Sequence, residues 1–354
     1  MKISKAEKIA NFNPSGVGVK NNNFIGLPFD ESDAEVVFLP VPWDVTVSYG
    51  AGTATAAVNI LEASSQLDLY DFDFPEAWKM GVFMRPLNEA MLLWSRENRK
   101  KSERYIHFLE TGGNVDENAE MQELRSEINS ACEDLRKWVY EESLALLAEG
   151  KIVGLVGGDH STPLGYIQAL AEKYDDFGIL HLDAHLDLRE AYEGFTYSHA
   201  SIFHNVLKLP QVSRMVSVGI RDYCREEVEF VQSQNGRVQV FYDGYVKKQV
   251  YKGNSLYSIY QNIIELLPEN IYISFDIDVL NPHLCQATGT PVPGGLEFQE
   301  AMFLLKCVAD SGRKVIGFDL CEVAGEGQEW DGNVGARVLY KLANVAGKTQ
   351  GKLN

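Results

Sequence analysis

At 354 residues and 45% apolar content the chain can bury a sizeable core, as one large α/β domain or two smaller ones. Its 32 basic against 50 acidic residues give a formal charge of −18, which repels phosphate backbones and sets nucleic acid aside as a partner. The N-terminus lacks a signal-peptide core, and no run approaches the roughly 20 apolar residues of a membrane span. Five widely spaced cysteines without a Cys-x-x-Cys pair suit reduced thiols, so a cytoplasmic protein is expected.

In chain order, short β-branched runs read as strands: Val36 to Leu39, Ile152 to Val156, Ile179 to Leu182, Met215 to Val218, Val238 to Tyr242, Ile271 to Phe275 and Val315 to Phe318. Helical spacing covers Leu124 to Ala148, Thr162 to Lys173, Ser255 to Leu267 and Glu297 to Ser311. The alternation predicts a parallel sheet with helices on both faces, its strands apolar throughout because both sides are buried. Residues 86–135 break the pattern and read as a surface insertion rather than a lid or oligomer contact, and the tail from Lys348 reads as frayed.

Three clusters begin where predicted strands stop: His160 in Gly157-Gly158-Asp159-His160, then Asp183, His185 and Asp187, then Asp276 and Asp278. Ligands of open parallel sheets bind beyond those strand ends. If residues 183–187 stay extended, a period of two puts their three polar side chains on one face. Each cluster alone also fits helix caps or tight turns. Together, two imidazoles and four carboxylates can hold two divalent ions, and such a mixed oxygen and nitrogen set suits manganese better than structural zinc. A metal pair makes hydroxide available near neutral pH, which is hydrolase chemistry.

With this motif set the chain resembles the ureohydrolase family, which includes arginase, agmatinase, formimidoylglutamase and guanidinobutyrase, over about Val36 to Leu342. The resemblance implies a three-layer α/β/α fold around a mostly parallel eight-stranded sheet. It implies one domain over residues 1–354, with an N-terminal extension at 1–33 and a helical insertion around 86–135. A dinuclear manganese site follows, with nickel, cobalt or iron as other candidates. One ion would lie among His160, Asp183, Asp187 and Asp276, the other among His185, Asp183, Asp276 and Asp278, bridged by Asp183 and Asp276. The resemblance also implies a homo-oligomer, a trimer or hexamer.

The same likeness extends to the substrate side. Thr290 lies in a segment similar to the family's substrate loop, and Glu322 falls where the family places a carboxylate for a guanidinium or amidinium, a planar cation suited to a forked acceptor. His199 resembles the agmatinase proton shuttle, with His204 competing for the role; Asp187 would take a proton and pass it to the leaving amine. His181 reads as a supporting group, His107 and His283 as incidental. Agmatinase-like hydrolysis of a guanidino compound, agmatine to putrescine and urea, is the first expectation. Arg189 favours formimidoylglutamate instead, since a guanidinium binds a substrate carboxylate; hydrolysis of guanidine or guanidinobutyrate comes third. Cys224 stands where arginases carry an aspartate, which disfavours arginase. Asn281 and Ala324-Gly325 also depart from the family pattern. A catalytically silent metal-bound scaffold is the rival class, opposed by the intact ligands, and a nucleotide-binding loop lacks the required glycines and lysine.

Overall fold

The computed structural model describes residues 3–353. Eight strands, β1 (Val36–Pro40), β2 (Val82–Met84), β3 (Ile152–Val156), β4 (Phe177–Leu182), β5 (Val212–Val218), β6 (Val238–Phe241), β7 (Asn270–Asp276) and β8 (Lys314–Cys321), form one sheet ordered β2-β1-β3-β8-β7-β4-β5-β6. Every pairing is parallel, so the mostly parallel sheet expected from sequence is wholly so.

The helices are α1 (Lys5–Asn11), α2 (Ala56–Ser64), α3 (Glu89–Glu110), α4 (Ala119–Ala148), α5 (Leu164–Ala171), α6 (Ile202–Val206), α7 (Arg225–Ser233), α8 (Asp243–Tyr251), α9 (Leu256–Glu265), α10 (Phe298–Asp310) and α11 (Glu329–Thr349). Alternate strand residues feed two cores. Val36, Phe38, Ile152 and Val156 pack with α2, α9, α10 and α11, whereas Val37, Leu39, Val153 and Leu155 pack with α3, α4, α5 and α6. That is why β1 and β3 are apolar at every position.

Two expectations change, and the N-terminal extension, of which only the bounds were expected, reaches the core. Residues 86–135 are not superficial: they hold α3, capped by Asn88, and the first half of α4, capped by Asn118, and they bury Tyr105, Ile106, Met121 and Ile128. Residues 23–29 of the N-terminal extension place Phe24, Ile25, Leu27 and Phe29 in the other core. The tail is tied down rather than frayed: α11 runs to Thr349, the Gln350 side chain donates to the Val315 carbonyl, and Lys352 pairs with Glu35 at 2.8 Å. Among the described residues no helix is long and apolar enough to cross a membrane.

Candidate metal centre and its cavity

The four strands whose ends carry the predicted polar clusters, β3, β8, β7 and β4, are consecutive in the sheet. His160 follows β3, Glu322 follows β8, Asp276 ends β7, and Asp183 follows β4, so all meet above the carboxyl edge. The expected extended path through 183–187 holds only in part. His185 makes a bridge to Asp222 with Ala184 and Leu186 buried on the opposite side, but Asp187 sits at φ 53°, outside the extended region. Glu322, at φ 61°, is likewise left-handed. Such backbone strain costs about 1–3 kcal/mol per residue and concentrates at functional sites.

His160 Nδ1 lies 2.9 Å from Asp183 Oδ2, 3.1 Å from Asp187 Oδ2 and 3.3 Å from Asp276 Oδ2. His185 Nδ1 lies 3.4 Å from Asp183 Oδ1 and 3.0 Å from Asp278 Oδ2. Asp183 therefore turns one oxygen to each imidazole, an arrangement open to a shared ligand, and its Oδ1 also accepts from the His185 backbone N–H at 2.6 Å. Asp276 has only Oδ2 on the His160 side, because Oδ1 accepts from the Asp278 backbone N–H at 2.8 Å.

The tautomer of His160 tests whether cations fit. Ser274 Oγ donates to Asp319 Oδ2 at 2.7 Å, so its one proton is committed and His160 Nε2, 2.9 Å away, must donate to it. In the neutral imidazole Nδ1 then carries a lone pair, is buried, has no hydrogen bond, and faces three carboxylate oxygens. Lone pairs converging on lone pairs are repulsive without a positive charge between them. The donor set fits a metal ion.

Without cations, protons gather instead. Burial would lower the His160 pKa, but Asp183, Asp187 and Asp276 raise it well above the ordinary value; His185 is pushed to about 12 by Asp278 and Asp183 despite burial. Burial and the Asp183 charge bring Asp187 up to about 7, and burial with Asp278 and Asp183 lifts Asp276 far above the carboxylate range. For Asp183 burial is overcome by His181, His160 and His185, which hold it well below that range.

Beneath the cluster runs a row of polar side chains of which sequence reasoning picked out only His181, as a supporting group. The register pairs Ser217 with His181, His181 with Ser274 and Ser274 with Asp319, across β5, β4, β7 and β8. All four are fully buried. His181 Nδ1 is 3.1 Å from Ser217 Oγ and its Nε2 2.9 Å from Asp183 Oδ2, while Ser274 and Asp319 fix His160. Burial keeps His181 neutral, only partly opposed by Asp183. Groups of this kind orient metal ligands from behind. The readable signal was polarity in the middle of strands buried on both faces.

A cavity of about 170 Å³ opens over the cluster, lined by His160, His185, Asp187 and Asp276 together with Arg189, His199, Asp222, Thr290 and Glu322. Glu322 Oε1 accepts from the His160 backbone N–H at 3.0 Å, and Oε2 is buried without a partner. Burial and the Asp159 charge push the Glu322 pKa far up, so a cation beside Oε2 would restore the ionised form. The His199 ring stands edge-on to Tyr192 at 5.9 Å, and burial with the neighbouring His185 charge lowers its pKa to about 3. Arg189 lies at the mouth, its guanidinium 4.9 Å above the Tyr192 ring. His204 packs on Phe230 at 4.8 Å and does not line the cavity; Cys224 does not either, and His107 and His283 are exposed.

Fold and site together define an α/β protein with imidazole and carboxylate clusters gathered beyond the ends of a parallel sheet. Residues 34–343 match the arginase family model. The N(1)-aminopropylagmatine ureohydrolase of Thermus thermophilus is 30% identical over 92% of this chain and 94% of its own length, and the agmatinase of Bacillus anthracis 30% over 84% and 85%. The crystal structure of agmatine ureohydrolase of Thermoplasma volcanium shares the fold, with a TM-score of 0.68 at 22% identity over 98% of this chain and 99% of that one. The chain belongs to the arginase family, and it is a hydrolase of C–N bonds in guanidines or amidines. The family depends on a binuclear metal centre, and the imidazole and carboxylate clusters here have the chemistry to supply one.

Proposed function

We propose that the chain hydrolyses a linear guanidino compound of the agmatine type to urea and an amine, using two manganese ions held by His160, Asp183, His185, Asp187, Asp276 and Asp278. The observation that carries this reading is the buried, partnerless Oε2 of Glu322, which lines the same cavity as both clusters. A planar cation bound there sits beside the metal ligands, as hydrolysis of its central carbon requires.

The ions, when bound, supply Lewis acidity and make hydroxide available near neutral pH. The chain's own residues do the rest. Glu322 accepts two N–H bonds from the guanidinium and fixes its plane, and Thr290 borders it. Asp187 holds a proton close to the reacting carbon. His199 is the nearby imidazole that moves a proton to the leaving amine.

Agmatine, or a tail-extended agmatine such as N(1)-aminopropylagmatine, is the preferred substrate. The names of both relatives and the exposed Asp222 carboxylate at the mouth support a cationic tail. Formimidoylglutamate is the second reading, favoured by Arg189 at the same mouth. Urea or formamide release would be measured on agmatine, aminopropylagmatine, formimidoylglutamate, arginine and guanidinobutyrate. A preference for formimidoylglutamate that disappears in Arg189→Ala would overturn the first choice.

A further inference from the structure

The loop after β1, residues 41–50, lies between α3 and the metal-side turn at 157–160. From α3, Trp94 packs on Trp43 with ring centroids 4.9 Å apart, Ser95 Oγ accepts from the Asp44 N–H at 3.4 Å, and Arg99 donates to the carbonyls of Val45 and Val47. At the loop's centre, Thr46 is fully buried. Its hydroxyl donates to Asp159 Oδ2 at 3.2 Å and accepts from the His199 backbone N–H at 3.1 Å. His199 Nδ1 lies 3.5 Å from the same oxygen and 3.4 Å from Ser198 Oγ. The Thr46 proton is already committed to an acceptor-only carboxylate, so toward Thr46 Nδ1 can only donate, and Ser198 Oγ, which also accepts from the Ala200 N–H, can accept alongside it. Nε2, with no protein partner among the described residues, is then the nitrogen free to exchange a proton with the cavity.

We propose that Thr46 is a positioning residue for His199, fixing its place and tautomer, and that α3 braces the loop that carries Thr46. The proposal rests on the reading of His199 as proton carrier. It gives residues 86–135 a role: α3 holds a catalytic wall from behind, through main-chain carbonyls that only a long, forked donor such as Arg99 can reach together. Thr46 does not line the cavity; its hydroxyl reaches the site by two routes, through His199 and through Asp159 beside His160, and the double-mutant cycle separates them.

The test uses the manganese-loaded full chain. Thr46→Val keeps the shape and removes the hydroxyl; kcat is expected to fall about 10- to 100-fold, with KM within about twofold and metal content unchanged. Thr46→Ser should recover most of the rate. In a double-mutant cycle, Thr46→Val should add nothing once His199 is Ala. Fully multiplicative losses, wild-type activity in Thr46→Val, or loss of metal alongside rate would each overturn the proposal. Full activity in His199→Ala alone would sink the proton-carrier assignment instead, read from a different protein sample. Where Thr46→Val fails to fold, Arg99→Met carries the same comparison: a smaller loss in kcat, absent in the His199→Ala background, supports the brace, and a loss that persists there refutes it.

Discussion

Replacing Glu322 by Gln changes one charge and almost no shape. The amide oxygen can keep the 3.0 Å bond from the His160 N–H, so the turn carrying the metal ligand stays in place. What is lost is the acceptor at Oε2, which has no protein partner and is buried. An amide there presents N–H groups to a cation that offers only N–H groups. Removing one partner of a buried, hydrogen-bonded charge pair costs about 2–5 kcal/mol, which converts to about 30- to several-thousand-fold in kcat/KM. Steady-state urea release gives the rate, and elemental analysis of the same preparation gives the metal. Retention of kcat/KM within about threefold, with full metal, would show that Glu322 is not the cation's acceptor. A parallel loss of metal would assign it to supporting the His160 turn instead.

Other variants probe the layers around it. Asp183→Ala, which removes oxygens facing both imidazoles, is expected to release more manganese than His160→Ala or His185→Ala, and equal losses measured after dialysis would refute a shared ligand. Ser274→Ala frees His160 from its fixed tautomer and should weaken metal affinity about 10- to 100-fold, read by competition with a chelator; unchanged affinity would refute the orienting role of Ser274. Glu193 is half-buried, one of its oxygens has no partner, and burial beside Glu110 raises its pKa to about 7 from 4.5. The folded state then binds the proton more tightly than the unfolded one, so the stability this group contributes is fully present below about 4.5 and is lost as pH rises through about 7. Glu193→Gln should remove that loss, stabilising the chain by about 1 kcal/mol at pH 8 after allowance for solvent access and not at pH 4, as thermal melts at the two values would show.

Seven of the strands were legible because a parallel strand covered on both faces is apolar at most of its positions, and such runs stand out. β2 was not: three residues, closed off by Arg85-Pro86, are too few to show a pattern. It is held instead by Asn23, whose side chain donates to the Val82 carbonyl and accepts from the Met84 N–H, a tertiary bond no local pattern announces. α11 escaped for the opposite reason. It is buried on nearly every side, so it has no polar stripe to reveal a helical period, and it carries Gly332, Gly335 and Gly347. At Gly332 a Cβ would meet the Asn59 side chain at 2.4 Å, so the glycine that weakens the helix signal is what lets α2 approach.

The site divides along the same line. Residues that would touch metal or substrate come in compact motifs just past strand ends, where the chemistry restricts residue type and spacing, and those were visible. Residues that set their orientation are scattered one to a strand: Ser217, His181, Ser274 and Asp319 become neighbours only when the register aligns them. Each by itself is an unremarkable polar residue at a position that an apolar one would fill with less desolvation. Their common feature, a polar group at the same level of adjacent buried strands, exists in the sheet and not in any segment of the sequence. A row of this kind has to satisfy every donor and acceptor internally, and it does so here by committing its outer atoms upward, to Asp183 and His160. The core thus accepts buried polarity where the ligands above need fixed tautomers and fixed rings, and the same argument accounts for the strained backbone at Asp187 and Glu322, two cavity-lining carboxylates that a relaxed chain would direct elsewhere.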